Sequence, residues 1–556
     1  MKNSKTLKWI FKNTKKYLPA VLLNAVISAV ISVGYIALAY FSSYIIDIAT
    51  GQKQGNIVFY IVLILLLIIM QAVLYILNSS VRVRVQGKTE MHFKRNMFLS
   101  LSRKEYARIS EFHSGDILNR FTSDIDIVVS GVTGIIPSAV SLIARLAAAI
   151  TVLMMYSPKL TLVILVLGVV VGAAARIYSS FFKNIHKKVQ ESVGKTRSFM
   201  QECAENMAVI KSFNTAPGFS LKLGDLMNES YKLKLKRNLV SNISSVAVYL
   251  IFTGGYYAAL SWGAFMVSAD IMTFGTLTAL LSIVSQIRAP ITNISGIIPQ
   301  YYSALASAER IIELENLADE GKPEENTKIS EIYNEMESLN LKGVTFSYEN
   351  SHETLKCADM VVKKGEIAAL IGGSGEGKST IFRLLLGLWT KYEGEINIST
   401  PSCKIPLTPN LRGLFAYVPQ GNLILSGTVA ENIRFCRETA SDEEVYAAAK
   451  CADLYDFIMS LPDGFETRLG ERGHGLSEGQ VQRIAIARAV LSEAPVLLLD
   501  ECTSALDDKT EKTVLENIKA LNRTAIIISH RAAALDICDK IYSLDSGFLN
   551  ILKGQN

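Results

Sequence analysis

Residues 476–507 read LSEGQVQRIAIARAVLSEAPVLLLDECTSALD, and this stretch decides the fold of the second half of the chain. A polar turn, Leu476-Ser477-Glu478-Gly479-Gln480, opens a helical run that carries Arg483 and Arg488 among alanines and isoleucines. Pro495 ends the helix, because a proline removes a backbone donor and clashes with the preceding turn. The apolar run 496–499 then reads as a buried strand that delivers the acidic pair Asp500-Glu501 at its C-terminal end. In a parallel sheet that end is where ligands collect. One carboxylate of such a pair can hold Mg²⁺ while its neighbour orients an attacking water. The stretch therefore points to a nucleotide site, and the phosphate cradle must lie elsewhere in the chain.

The cradle lies upstream. Residues 366–371 form a strand that runs directly into Gly372-Gly373-Ser374-Gly375-Glu376-Gly377-Lys378-Ser379-Thr380, and residues 381–388 continue as a helix. This is the P-loop pattern in the strand–loop–helix context it requires. Its glycines let backbone N–H groups close around phosphates, and the helix N-terminus favours negative charge. Lys378 has the reach for the β- and γ-phosphates of ATP, and Ser379 the hydroxyl for Mg²⁺. Three further residues fit the same site by position. Tyr348 follows the alternating strand 339–346, and an aromatic there can stack on adenine; Gln420 follows a short strand; His530 ends the strand 525–529.

The chain has 556 residues, too many for one core, and its hydrophobicity is uneven. The first 310 residues hold long apolar runs, whereas the C-terminal part alternates like a soluble α/β domain. A net charge of +6 is distributed in a way that argues against nucleic acid as a partner. Lys2, Lys5, Lys8, Lys12, Lys15 and Lys16 precede the first apolar run, and most other basic residues of this half flank later runs, as membrane topology is written. Seven cysteines in no metal-ligand spacing, all in parts assigned to the cytosol, read as reduced thiols. No cleavable signal peptide is apparent.

Residues 5–17 read as a basic, partly amphipathic helix on the inner membrane surface. Six spans follow, at 18–49, 57–77, 131–156, 160–182, 241–267 and 271–291, each long enough for the roughly 20 residues a bilayer requires. Connections 51–56, 157–159 and 268–270 are short; 78–130 and 183–240 are long and rich in Lys and Arg. Both termini and both long connections therefore belong on the cytoplasmic side. The long connections read as helical extensions of the spans, broken near His113-Ser114-Gly115 and near Ala216-Pro217-Gly218. Arg145 falls near the middle of the third span, and Arg176 and Arg288 lie deep in or near the fourth and sixth. Intramembrane charge faces a pathway or a structural partner, and the sequence leaves both open.

The domain reading is thus 1–317 as an all-α transmembrane domain of six helices with cytoplasmic extensions, 318–335 as a polar linker, and 336–556 as an α/β P-loop NTPase. Taken together, these features resemble an ABC transporter half-unit of the exporter type, six spans fused ahead of one nucleotide-binding domain. The resemblance covers nearly the whole chain. It implies adenine stacking by Tyr348 and phosphate binding by Gly373, Ser374, Gly375, Gly377, Lys378, Ser379 and Thr380. It implies that Gln420 senses Mg²⁺ and the attacking water, that Asp500 holds the metal, that Glu501 is the catalytic base and that His530 is the switch histidine. Ser477, Gly479 and Gln480 correspond to the signature motif, which contacts ATP held by the other subunit, and Asp507 closes the D-loop. Residues 111–124 and 208–213 resemble the two coupling helices.

Two positions depart from the family pattern. Glu478 stands where a glycine is usual, either weakening the ATP site it faces or tolerated beside Ser477, Gly479 and Gln480. Asn214 follows the aromatic of the second coupling helix where relatives commonly carry glutamate. The resemblance implies an ATP-driven exporter of a hydrophobic or amphipathic small molecule, lipid or peptide, working as a homodimer or heterodimer; the single half-unit and the Lys-, Ile- and Asn-rich sequence point to a bacterial plasma membrane. Import of the siderophore type, and an ATP-gated channel or regulator, are the alternative functions.

Overall fold

The computed structural model describes residues 2–321, 329–348, 352–421, 424–470 and 475–553. They divide into two compact units, one of residues 1–98 with 114–315 and the other of residues 99–113 with 316–556.

Apolar runs without helix breakers give the first unit its helices. After α1 (Lys2–Thr14) come α2 (Leu18–Ala49) and α3 (Ile57–Leu101). Helix α4 (Tyr106–Ile109) groups with the second unit. Then follow α5 (Ser114–Asn119), α6 (Ile125–Tyr156), α7 (Pro158–Glu205), α8 (Met207–Ser212), α9 (Ala216–Ser268) and α10 (Phe274–Glu315). Four helical stretches are long and apolar enough to cross a membrane among the described residues: Leu18–Ala49, Ile57–Leu101, Ser114–Tyr156 and Ala216–Ser268. Helices α7 and α10 run 48 and 42 residues, and Phe274–Ile287, within α10, is a shorter described apolar stretch. The side chains of Arg176 and Arg288 lie outside the described residues.

The punctuating residues start helices rather than end them. Ser114 and Gly115 open α5, and Pro217 sits in the first turn of α9, where its missing N–H costs nothing. The second break falls earlier than the proline, at Phe213–Thr215, with Asn214 in the left-handed region at φ 53°.

Helices α2, α6 and α10 pack together, and α9 closes on them through Ala259, so that Ile36, Ala39, Ala149, Leu153, Leu280 and Ile283 form the core of the bundle. The apolar window of α3 is wholly unburied, as a lipid-facing helix requires. Buried carboxylates pin both ends of this bundle. At the end with short connections, Asp47 accepts hydrogen bonds from the Gly275 backbone N–H (2.8 Å) and Thr273 Oγ1 (3.0 Å) and pairs with Lys53 (3.0 Å). At the other end, Asp124 accepts from Ser307 Oγ at 2.8 Å and pairs with Arg310, while buried Arg120 bridges Asp116 and Glu313, each at 2.9 Å.

The second unit begins its C-terminal portion with α11 (Ile329–Glu335), β1 (Ser338–Ser347), β2 (Glu353–Lys363), β3 (Ile367–Ile371) and α12 (Lys378–Leu385). Then come β4 (Glu393–Ser399), β5 (Lys404–Pro406), β6 (Phe415–Val418), β7 (Gly427–Thr428), α13 (Val429–Arg434), α14 (Asp442–Cys451), α15 (Tyr455–Ser460) and β8 (Arg468–Leu469). The chain closes with α16 (Glu478–Leu491), β9 (Val496–Asp500), α17 (Asp508–Ala520), β10 (Thr524–Ile528), α18 (Ala532–Asp536), β11 (Lys540–Asp545) and β12 (Phe548–Lys553).

Strands β11, β3, β10, β9 and β6 run parallel in that order, with β12 antiparallel at the edge, and β2-β1-β4-β5 make a separate antiparallel sheet. The central strands are buried on both faces, which explains their unbroken apolar sequences. Strand period two divides them cleanly: Leu497, Leu499, Ala525 and Ile527 face the core shared with α13, α14, α16 and α17. Val496, Leu498, Ile526 and Ile528 face α12 and the antiparallel sheet. Residues 99–113 join this unit through buried Lys104, which pairs with Asp319 (2.7 Å) and donates to the Leu317 carbonyl (2.9 Å). Tyr106 packs edge-on against Trp389, and Arg412 holds Glu320 with two nitrogens at 3.1 and 3.2 Å.

Candidate nucleotide site at the carboxyl edge of the parallel sheet

Three of the parallel strands end in the chemistry. β3 runs into the glycine loop, β6 is followed by Gln420, and β9 ends at Asp500 and Glu501. Gly377 caps α12 in the left-handed region at φ 106°, a conformation that a side chain resists, and a Cβ there would stand 2.7 Å from Thr354 Cγ2. The loop is closed on itself. Lys378 Nζ donates to the carbonyls of Gly372 (2.5 Å) and Gly373 (2.7 Å), and the Gly373 N–H donates to the Glu376 carboxylate at 2.7 Å. A carboxylate thus occupies a donor of the kind that binds phosphate.

A cleft of about 670 Å³ opens over this loop, lined by Ser374, Gly375, Gly377, Lys378, Ser379 and Thr380 together with Tyr348, Gln420 and Glu501. The Tyr348 hydroxyl lies 2.9 Å from Thr380 Oγ1 and accepts from Arg383 at 3.0 Å, while its ring packs edge-on against Phe346 and Trp389. Gln420 Nε2 donates to Glu501 Oε2 at 2.6 Å. Glu501 adopts a left-handed backbone, φ 48°, fixed by its N–H donating to the Ile528 carbonyl at 3.0 Å. Asp500 is buried, and burial pushes its carboxyl above the ordinary aspartate range, opposed by hydrogen bonds from Ser379 and Tyr417. Burial likewise raises the Tyr417 phenol, so it stays a donor to Asp500.

Ser379 and Asp500 therefore present a hydroxyl and a carboxylate to each other, a hard oxygen pair of the kind that suits Mg²⁺. Among the described residues there is no cluster of three His, Cys, Asp or Glu that would hold a metal unaided.

Other expected residues lie elsewhere than the cleft lining. Ser477 caps α16 in a reciprocal box: its Oγ accepts from the Gln480 N–H at 3.3 Å, and Gln480 Oε1 accepts from the Ser477 N–H at 2.8 Å. Ser477 and Glu478 are exposed and Gly479 is buried, its hydrogen taking the place of a Cβ that would meet the Ala505 carbonyl at 2.7 Å. Asp507 caps α17 by accepting from the Thr510 N–H, which holds its carboxyl below the ordinary range. His530 is exposed just past the end of β10. None of Gly373, Ser477, Gly479, Gln480, Asp500, Asp507 and His530 lines the cleft.

Sequence reasoning passed over several residues. Arg383, one turn into α12, and Thr354, Lys356, Ser546 and Gly547 from distant segments also line the cleft. Buried Gln482 ties α16 to the segment after β9, donating to Ser504 Oγ (3.0 Å) and accepting from the Ala505 N–H (3.1 Å). Arg531 fastens the same segment by donating to the carbonyls of Thr503 (3.1 Å) and Leu506 (2.7 Å) and pairing with Glu511 at 2.9 Å. Gln482 carries no signal beyond its place two residues past a helix-capping turn, and the others carry no local signal.

Residues 21–291 match the family model of the ABC transporter transmembrane region, and residues 355–504 match that of the ABC transporter. The chain is 31% identical over 484 residues to the mitochondrial potassium channel ATP-binding subunit of Xenopus tropicalis, covering 85% of this chain and 68% of that one. It is 29% identical over 486 residues to the ATP-dependent lipid A-core flippase of Haemophilus influenzae, covering 86% and 82%. In fold it is similar to a bacterial Atm1-family ABC exporter solved with ATP bound, at a TM-score of 0.79 and 24% identity over 96% of this chain and 94% of that one.

Proposed function

The chain belongs to the ABC transporter family, as a multi-pass half-unit with a helical transmembrane domain ahead of an α/β ATPase domain, and we propose that it exports an amphipathic small molecule, lipid or peptide as one half of a dimer. Its translocating ATPase activity is that of the family. The observation that carries the dimer reading is the division of the expected ATP-binding residues. Tyr348 and the loop from Ser374 to Thr380 share one cleft, while exposed Ser477 and buried Gly479 stand outside it at the start of α16. Each ATP is then held by the loop of one half-unit and the Ser477 turn of the other, and closing the pair drives reorientation of the membrane helices.

Within the cleft Lys378 leaves the carbonyls of Gly372 and Gly373 for the phosphates, and Glu376 yields the Gly373 N–H. Ser379 and Asp500, with Gln420 nearby, are the residues that hold Mg²⁺, which when bound neutralises charge on the β- and γ-phosphates. Glu501, oriented by Gln420, takes the proton of the attacking water, and His530 approaches the γ-phosphate on closure. The basic residues of the long connections support cytoplasmic termini, and the single half-unit with a Lys-, Ile- and Asn-rich sequence supports a bacterial plasma membrane.

Inverted membrane vesicles from cells expressing the chain test the reading. Labelled amphiphiles should accumulate inside them only with ATP and not with Lys378→Ala. Efflux in place of uptake would establish import, and ATP-gated single-channel conductance without accumulation would establish a channel.

A further inference from the structure

Among the described residues, Arg145 is a cation without a countercharge in the middle of the membrane unit. On α6 it lies about 16 Å from Tyr156 at the short-connection end, and Tyr35, the ring it covers, lies about 18 Å from Asp47 on α2. With a hydrocarbon core of about 30 Å, that is near the midplane. The six apolar spans hold a single acidic residue, Asp47, and it is already engaged by Lys53, Thr273 and Gly275 at the bundle end.

The partners Arg145 does have are weak. One guanidinium nitrogen reaches Gln286 Oε1 at 3.4 Å, the long limit of a hydrogen bond, and the guanidinium carbon stands 5.4 Å from the Tyr35 ring centre. Its Nε is buried with no acceptor among the described residues. The surroundings are polar and built: Gln286 is steered by its own bonds to Ser282 Oγ (3.3 Å) and the Tyr35 carbonyl (3.4 Å). One turn along the same α2–α6 seam, Ser32 and Ser141 meet at 2.6 Å. A guanidinium with five donors, one long bond and an orphaned Nε is matched by a planar or tetrahedral anion that accepts two bonds at once.

We propose that Arg145, collared by Gln286 and Tyr35, binds the anionic headgroup, phosphate or carboxylate, of an amphiphilic cargo whose apolar portion lies among the helices. This assigns a substrate class to the export reading and rests on it. The site lies on α2, α6 and α10, the helices that pack together at the centre of the unit, so a headgroup held there touches the elements that must move during transport. Without the anion the charge is stranded; with it, burial is compensated.

The test uses the full-length chain in phosphatidylcholine nanodiscs and four probes: a phosphatidate, a fatty acid, a diacylglycerol with the same tails, and inorganic phosphate. The wild type is expected to bind phosphatidate or the fatty acid at least about tenfold more tightly than diacylglycerol. Which of the two anions binds tells phosphate from carboxylate recognition. Arg145→Gln should erase the preference and Arg145→Lys restore most of it, with melting temperatures confirming that both variants are folded. Equal binding of anionic and neutral probes, an unaltered preference in Arg145→Gln, or binding of inorganic phosphate as tight as phosphatidate would overturn the proposal. ATP-driven movement is read separately in proteoliposomes. ATP-driven export of neutral amphiphiles alone would sink the site and leave the transporter reading standing. Anion binding that depends on Arg145 without ATP-driven movement would do the reverse.

Discussion

Gln420 donates its side-chain N–H to Glu501 at 2.6 Å, joining the residues that follow two adjacent parallel strands, β6 and β9. The contact sets where the carboxylate points, and the left-handed backbone of Glu501 commits it to that side of the sheet.

If Glu501 is the base, Glu501→Gln keeps the shape and removes the proton acceptor. ATP turnover should fall about 100-fold or more, with ATP affinity within a few-fold of wild type. Gln420→Ala, which frees the carboxylate without removing it, should lower turnover less. Steady-state ATPase rates and nucleotide titrations check both, and full activity in Glu501→Gln would remove the base assignment.

Gln482 is a structural tie whose loss should be felt in stability. Gln482→Leu strands the Ala505 N–H and Ser504 Oγ, at a cost of about 1–3 kcal/mol. A melting temperature unchanged by the substitution would show that the segment after β9 is held by Arg531 alone.

The P-loop was legible because its chemistry is contiguous: strand, glycines, lysine and helix follow one another in a single run. Asp500 and Glu501 were legible for the same reason. Gln482, Arg383 and Arg531 were not, since each acts on a segment distant in sequence and an isolated Gln or Arg on a helix looks like any surface residue. The membrane helices were legible as apolar runs, and their extensions as helical continuations. That residues 99–113 group with the ATPase unit was not, because Lys104 and Tyr106 find Asp319 and Trp389 only through the fold. Ser114 and Pro217 were recognised as breaks, but a break that begins a helix and one that ends it use the same residues.

Close packing at the short-connection end should be intolerant of added volume. A Cβ on Gly275 would stand 2.0 Å from the Ser43 carbonyl oxygen, a backbone atom that cannot swing away. Gly275→Ala should therefore destabilise by about 1–3 kcal/mol. Gly254, deep in α9, is the control: among the described residues, nothing lies within 4 Å of where an added methyl would stand. Gly254→Ala should be neutral or gain up to about 1 kcal/mol. Thermal unfolding of the two variants in one detergent decides the comparison.

The cysteines should separate by burial. Cys502 and Cys538 are buried, and desolvation pushes each thiol up to about 12, so both remain protonated at pH 8. Cys357, Cys403 and Cys436 are exposed, the last with its thiol donating to the Arg488 carbonyl at 3.2 Å. Maleimide followed by peptide mass mapping of the native protein should modify the three exposed thiols and spare the buried pair, with all sites reacting after denaturation. Rapid native labelling of Cys502 would contradict its burial in the core just past β9.

If the Ser477 turn meets ATP held by the other half-unit, Glu478 bears on that site rather than on its own cleft, since it sits beside exposed Ser477 outside the P-loop lining. Glu478→Gly should raise turnover if the charge weakens the shared ATP site and leave it unchanged if the position is tolerant. ATPase rates of the two proteins at saturating ATP tell these apart.

Trapping the ATP sites proposed to be shared between two half-units tests the dimer reading most directly. Glu501→Gln, purified from the membranes of its source cells and given Mg²⁺ and ATP, should be recovered as a pair of half-units with ATP held between them, measured by mass in native conditions. Ser477→Arg should abolish that ATP-held pair while the P-loop cleft still binds nucleotide. Single half-units carrying ATP, with no pair forming at any concentration, would contradict the shared site.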